Sequence, residues 1–205
     1  IAAILPTPNR DDILREVVPI IRKCDLSVVN SECPLVADEA EPIIKEGPNL
    51  KCDPVAAQML KEAGFSLATL ANNHILDYGP SGLEQTIQAL NDQVLAYVGV
   101  GNDIHEAQKV QYFEKNKQTL AIINCCEHEF SIATEQTGGA TPLNPIQQYY
   151  TISKAKHHAD YVVVIIHGGH EHYYLPSPRM QETYRFFVDA GADVIINHHQ
   201  HCYSG

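Results

Sequence analysis

Six short apolar runs, at 26–30, 67–71, 96–100, 119–125, 161–167 and 193–197, punctuate this chain, and five of them end abruptly in polar residues. The runs are strand-sized and rich in β-branched side chains, which marks them as buried strands. Helical patterns lie between them, at about 11–23, 54–63, 79–91, 104–108, 146–158 and 178–190. Asp53 before Pro54 reads as a helix start, and Gly64 and Gly191 fall where helices should stop. Such alternation predicts an α/β fold, a largely parallel sheet with helices on its faces. A further strand at 110–113 can form a hairpin with 119–125 across 115–117, which would make the sheet mixed. Segments 32–52 and 127–145 are long enough for functional loops. No linker or repeat divides the 205 residues, so a single domain over 1–205 is expected.

The polar residues follow the strands directly. Val29 leads into Asn30, Ser31 and Glu32, and Leu70 leads into Ala71, Asn72, Asn73 and His74, with Asp77 shortly after. Ile123 leads to Asn124 and Glu127, Ile166 to His167, Gly168, Gly169, His170 and Glu171, and Ile196 to Asn197, His198, His199, Gln200 and His201. Open α/β sheets bind ligands beyond the carboxyl ends of their strands, so these five clusters can meet in one cleft. Imidazole and carboxylate groups together suit a divalent transition metal. Alternate residues at a strand end share a face, which directs His199 and His201 to one centre and His198 away from it. His167 joins that pair as a candidate ligand, and Glu32 and Asn73 supply oxygen. One of Asn72 and Asn73 is explained by turn geometry alone. The remaining histidines read as surface residues, and Tyr149, Tyr150, Tyr173 and Tyr174 as core or rim.

Composition narrows the ligand. The formal net charge of −11 leaves no broad basic face for nucleic acid. An anionic substrate would therefore need a local positive centre, which a bound cation can supply. Six cysteines without C-x-x-C spacing read as reduced, mostly buried thiols rather than a zinc site or a disulfide framework. No apolar run approaches the roughly 18 residues of a membrane span. The chain starts at Ile1, so location stays open between the cytoplasm and an anchored cell-surface position.

The phrases NSECPL, GFSLATLANNHILDYGPSGLEQT, YVGVG, VIIHGGHEHYYLPSPRMQ and AGADVIINHHQH occur in this order. Together they resemble the CapA or PGA_cap family of bacterial capsule-synthesis proteins, from about residue 20 to the end. The resemblance implies the calcineurin-like metallophosphoesterase fold, a four-layer α/β/β/α sandwich with mixed sheets. It implies two divalent ions (Mn, Fe or Zn), with Asn73, His167, His199 and His201 as ligands and Glu32 in the place of a bridging carboxylate. His74 would be the catalytic histidine, and Glu171 belongs to the motif in a catalytic or supporting role. The implied function is capsule or poly-γ-glutamate biosynthesis through a hydrolase site acting on a phosphoester or a γ-glutamyl amide. The alternative is a non-catalytic polymer-binding or export-assisting component, partnered by a membrane-bound capsule synthase. A Rossmann nucleotide domain is disfavoured, because no G-x-G-x-x-G follows the first strand. Two departures stand out. The family's opening Gly-Asp strand does not precede Asn9, and Asn197 and Gln200 replace its usual Gly and Pro. A fragment lacking the first and closing strands is therefore expected.

Overall fold

The computed structural model describes residues 13–203. Its elements in chain order are α1 (Val18–Ile21), β1 (Val28–Asn30), α2 (Val55–Ala63), β2 (Leu67–Thr69), α3 (Gly79–Asp92), β3 (Ala96–Val98), β4 (Val100–Gly101) and α4 (Ile104–Ala107). There follow β5 (Gln111–Lys115), β6 (Gln118–Cys126), β7 (Gly139–Ala140), α5 (Pro145–Lys156), β8 (Tyr161–His167), α6 (Pro178–Asp189) and β9 (Val194–His198). All six expected strands and the hairpin are present. The first helix is shorter than its pattern over 11–23, whose opening residues lie outside the described residues, as does the stretch before Asn9.

Two main sheets form. One is parallel, in the order β1-β2-β3; the other is mixed, in the order β5-β6-β8-β9, with only β5 antiparallel. The short β4–β7 pair lies between them: Thr141 N–H donates to Gly99, and Cys126 N–H donates to Thr141.

Strand alternation decides the layering. On β2, Ala68 faces the helices, packing with Ala57 and Leu60 of α2 and Leu83 and Leu90 of α3. Its neighbour Leu67 faces the other way and meets Val98, Ile122 and Ile165 between the sheets. On β6 and β8, Ala121, Ile123, Val162, Val164 and Ile166 turn outward onto Ile152 of α5 and Phe187 of α6. The result is helix, sheet, sheet, helix. Gly64 ends α2 at φ +104°, a left-handed cap that suits glycine.

One buried polar residue crosses the apolar seam. The Asn124 side chain accepts a hydrogen bond from Ala71 N–H at 2.8 Å and donates to the Ile165 carbonyl at 3.1 Å. It ties β2's carboxyl end to the mixed sheet. Gly99, at φ +95°, makes room for it, since a Cβ there would lie 2.1 Å from Asn124 Oδ1.

Candidate metal centre

The carboxyl ends of β1, β2, β8 and β9 open on the same side of the sandwich. β1 delivers Glu32, whose Oε2 accepts a hydrogen bond from Asn30 Nδ2 at 2.9 Å. The other oxygen, Oε1, lies 3.8 Å from His167 Nε2 and 3.9 Å from His201 Nε2. β2 delivers the two asparagines, and they divide the work. Asn72 builds the turn, donating to the Ser31 and Leu70 carbonyls and accepting from His74 N–H. Asn73 is left to aim its Oδ1 at His167 Nε2, 3.0 Å away.

β8 delivers His167, which is 2% exposed. Its Nε2 also lies 3.1 Å from His199 Nδ1, while its Nδ1 lies 2.7 Å from His198 Nδ1. Burial, then the neighbouring His198, His199, His74 and His201 rings, push the His167 pKa down to about 2. His198 is pushed down to about 4, by burial and then by His199. Both rings therefore stay neutral, the form that ligates metals.

Glu32, Asn73, His167, His199 and His201 thus come together as expected, and Glu171 reaches the rim with Oε1 3.9 Å from His199 Nε2. His198 departs from expectation. It faces the cluster, and a carboxylate oxygen of Glu32 with one ring nitrogen each of His167 and His198 lie within 4.8 Å of one another. The reason is register. His167 and His198 are paired residues of adjacent parallel strands, so their side chains share a face. The strand ends at His198, and His199, at φ +106°, turns the chain so that its ring reaches the same place. Period-two alternation stops applying one residue before the His199/His201 pair.

Residues around the turn hold these rings. Asn197 donates to the Ile166 and Gly168 carbonyls, and Gln200, 6% exposed, donates to Gly168 and to Asn197. Glu127 accepts from Gly169 N–H at 3.0 Å and from Arg179 at 2.5 Å.

Beside the cluster, Asp77 Oδ2 contacts His74 Nδ1 at 2.8 Å and accepts from Leu50 N–H at 2.6 Å. Its Oδ1 lies 2.6 Å from the ammonium of Lys45, whose side chain is 3% exposed. Burial raises the Asp77 pKa, but hydrogen bonds from His74, Lys45 and Leu50 outweigh it and hold the carboxyl below its ordinary value. The carboxylate fixes Nδ1–H on His74 and leaves Nε2 as the working nitrogen. Lys45 escaped sequence reasoning. It sits in the long 32–52 segment, whose length was the available signal, and no motif marks it.

The donor set fits a divalent cation. The two nitrogens of His167 face three polar atoms, Asn73 Oδ1 and His199 Nδ1 on one side and His198 Nδ1 on the other. His198 Nε2 is buried without a hydrogen-bond partner. A positive centre would satisfy these converging atoms, and mixed imidazole and carboxylate oxygen is the chemistry such ions prefer.

The family model described as bacterial capsule synthesis protein PGA_cap matches residues 1–205. The capsule biosynthesis protein CapA of Bacillus anthracis is 35% identical over 199 residues, covering 93% of this chain and 48% of that protein. The PGA biosynthesis protein CapA of Bacillus subtilis is 33% identical over 194 residues, covering 93% of this chain and 51% of that protein. The chain thus spans about half the length of these relatives. Among solved structures, a phosphatase from Mycoplasma pneumoniae superposes with a TM-score of 0.54 at 19% identity, over 94% of this chain and 59% of that one. That likeness concerns the fold, which is the calcineurin-like phosphoesterase sandwich.

Proposed function

The chain belongs to the bacterial capsule synthesis protein PGA_cap family, and from that premise we propose that it is a divalent-metal hydrolase of capsular polymer biosynthesis. The observation that carries the reading is the convergence on His167 Nε2, with Asn73 Oδ1, His199 Nδ1 and Glu32 Oε1 all within 3.8 Å of it. Glu32, Asn73, His167, His198, His199 and His201 would hold the metal. Two divalent ions such as Mn, Fe or Zn, when bound, would lower the pKa of a shared water and offset charge building on the electrophile.

The chain's own residues supply the rest. Asn30 holds one oxygen of Glu32 and leaves the other for the site. Asp77 orients His74, which presents Nε2 to protonate a leaving group. Lys45 and Leu50 N–H keep Asp77 ionised and fixed. Glu171 stands at the rim, within reach of His199.

The first-choice substrate is a phosphoester, with a γ-glutamyl amide as the second, since Lewis-acid polarisation serves a carbonyl as well. Arg179 is engaged by Glu127 and Lys45 by Asp77, so the anionic part of a substrate would depend on the bound cation. The test is turnover by the full-length protein with Mn²⁺, on p-nitrophenyl phosphate esters and on poly-γ-glutamate. Turnover that disappears in His74→Ala supports the hydrolase. Polymer binding with no turnover on either substrate favours a binding or export-assisting component of a capsule synthase.

A further inference from the structure

The segment that follows Glu32 leaves the site and returns to α2, and it carries a cysteine at each end. Cys33 is next to Glu32, and Cys52 lies two residues before Pro54, where α2 is capped. The backbone brings the two ends together. Leu35 pairs with Cys52 as a parallel bridge, Cys52 N–H donates to the Pro34 carbonyl at 3.0 Å, and Val36 N–H donates to the Cys52 carbonyl at 2.9 Å. The side chains complete the approach: Cys33 packs against the apolar cluster that contains Cys52. Both are reduced here. Both also line a small cavity with Asn30, Ser31 and Glu32. Cys125 and Cys126 differ: they are buried to 0% and 1% exposure on β6.

We infer that Cys33 and Cys52 are a redox-modifiable pair that closes to a disulfide at the base of the 32–52 segment. The reaction is thiol–disulfide exchange with a small disulfide. One cysteine, as thiolate, attacks a sulfur of the reagent, forms a mixed disulfide and releases one reagent thiol. The second cysteine loses its proton, attacks the protein sulfur of the mixed disulfide and releases the second reagent thiol. The two cysteines give up two electrons, and the reagent disulfide takes them. The bond would join the residue beside Glu32 to the start of α2 and close the segment that carries Lys45 to Asp77. Closing a loop of this size removes freedom from the unfolded chain. This inference stands apart from the hydrolase reading, because it uses neither a metal nor a substrate.

The experiment incubates the intact chain with oxidised glutathione at several ratios to reduced glutathione. It reads the free thiols by alkylation under denaturing conditions and maps the linkage by non-reducing proteolysis and mass spectrometry. The expected result is two fewer alkylated thiols, a Cys33–Cys52 linked peptide, and a melting temperature raised by roughly 5–10 °C. The linked peptide and the shift should both vanish in Cys33→Ser. Mapping on the unaltered chain keeps the test valid even if a variant folds poorly. A fully oxidising ratio that leaves both thiols free, or that joins either one mainly to Cys24 or Cys202, overturns the inference.

Discussion

His167 and His198 meet nitrogen to nitrogen, with their Nδ1 atoms 2.7 Å apart on paired positions of adjacent parallel strands. Two neutral rings can share one proton at such a contact. If His167 donates it, its Nε2 lone pair faces Asn73 Oδ1 and His199 Nδ1, and a cation there would satisfy all three atoms. A bound cation is thus the simplest remedy.

The first prediction concerns that remedy. His167→Ala should weaken Mn²⁺ binding by about 100-fold or more, and His198→Ala by about 10- to 100-fold. Isothermal titration of the metal-stripped protein measures both. Wild-type affinity in His198→Ala would remove that ring from the ligand set and leave His199 and His201 to the role.

His74 should separate chemistry from binding. His74→Ala is expected to lower kcat on an aryl phosphate by about 10²- to 10⁴-fold. Its Mn²⁺ affinity should change far less, since its ring is held by Asp77 and not by the cluster. A loss of metal binding equal to that of His167→Ala would move His74 into the metal shell.

Asp77 gives a pH signature. Its folded pKa lies below the unfolded carboxylate value of about 3.9. Its contribution to stability is therefore fully present above that value and is lost as pH falls through the folded one. Breaking so buried an ion pair costs about 3 kcal/mol. Asp77→Asn should show most of this deficit in urea unfolding at pH 7 and progressively less of it at pH 3 and below. An equal deficit at both pH values would assign the effect to packing instead of charge.

Much of the fold was legible because the strands are short apolar runs and two helix ends carry glycine. Gly64 and Gly191, at φ +104° and +117°, follow α2 and α6 where a stop was expected. The division of labour between Asn72 and Asn73 was also legible, since one turn needs only one side chain. His198 was not, because its orientation depends on where β9 stops and on its pairing with His167, neither of which alternation can encode. Lys45 was hidden for a related reason: a lysine in a 21-residue segment reads as solvated until the segment folds over Asp77. The assignment of β1, β2 and β3 to one sheet and of β5, β6, β8 and β9 to another likewise needs pairing information that no single strand carries.

Asn124 gives a fourth prediction. Asn124→Ala leaves the Ala71 N–H without its partner in an apolar seam and removes the amide bond to the Ile165 carbonyl, at a cost of about 1–3 kcal/mol. Denaturant unfolding measures it directly. Gly99→Ala should be comparably damaging, through both its positive φ and the crowding of Asn124. A near-neutral result for Asn124→Ala would mean that water enters and replaces the amide.

The candidate ligands come from both halves of the sandwich: Glu32 and Asn73 follow the strands of one sheet, and His167, His198 and His199 end or follow those of the other. An ion held there would be a rivet at one lip of the interface. Loading and unloading it should make the two layers pivot about their apolar middle, so that amide exchange quickens at the site end while Leu67, Val98, Ile122 and Ile165 stay shut.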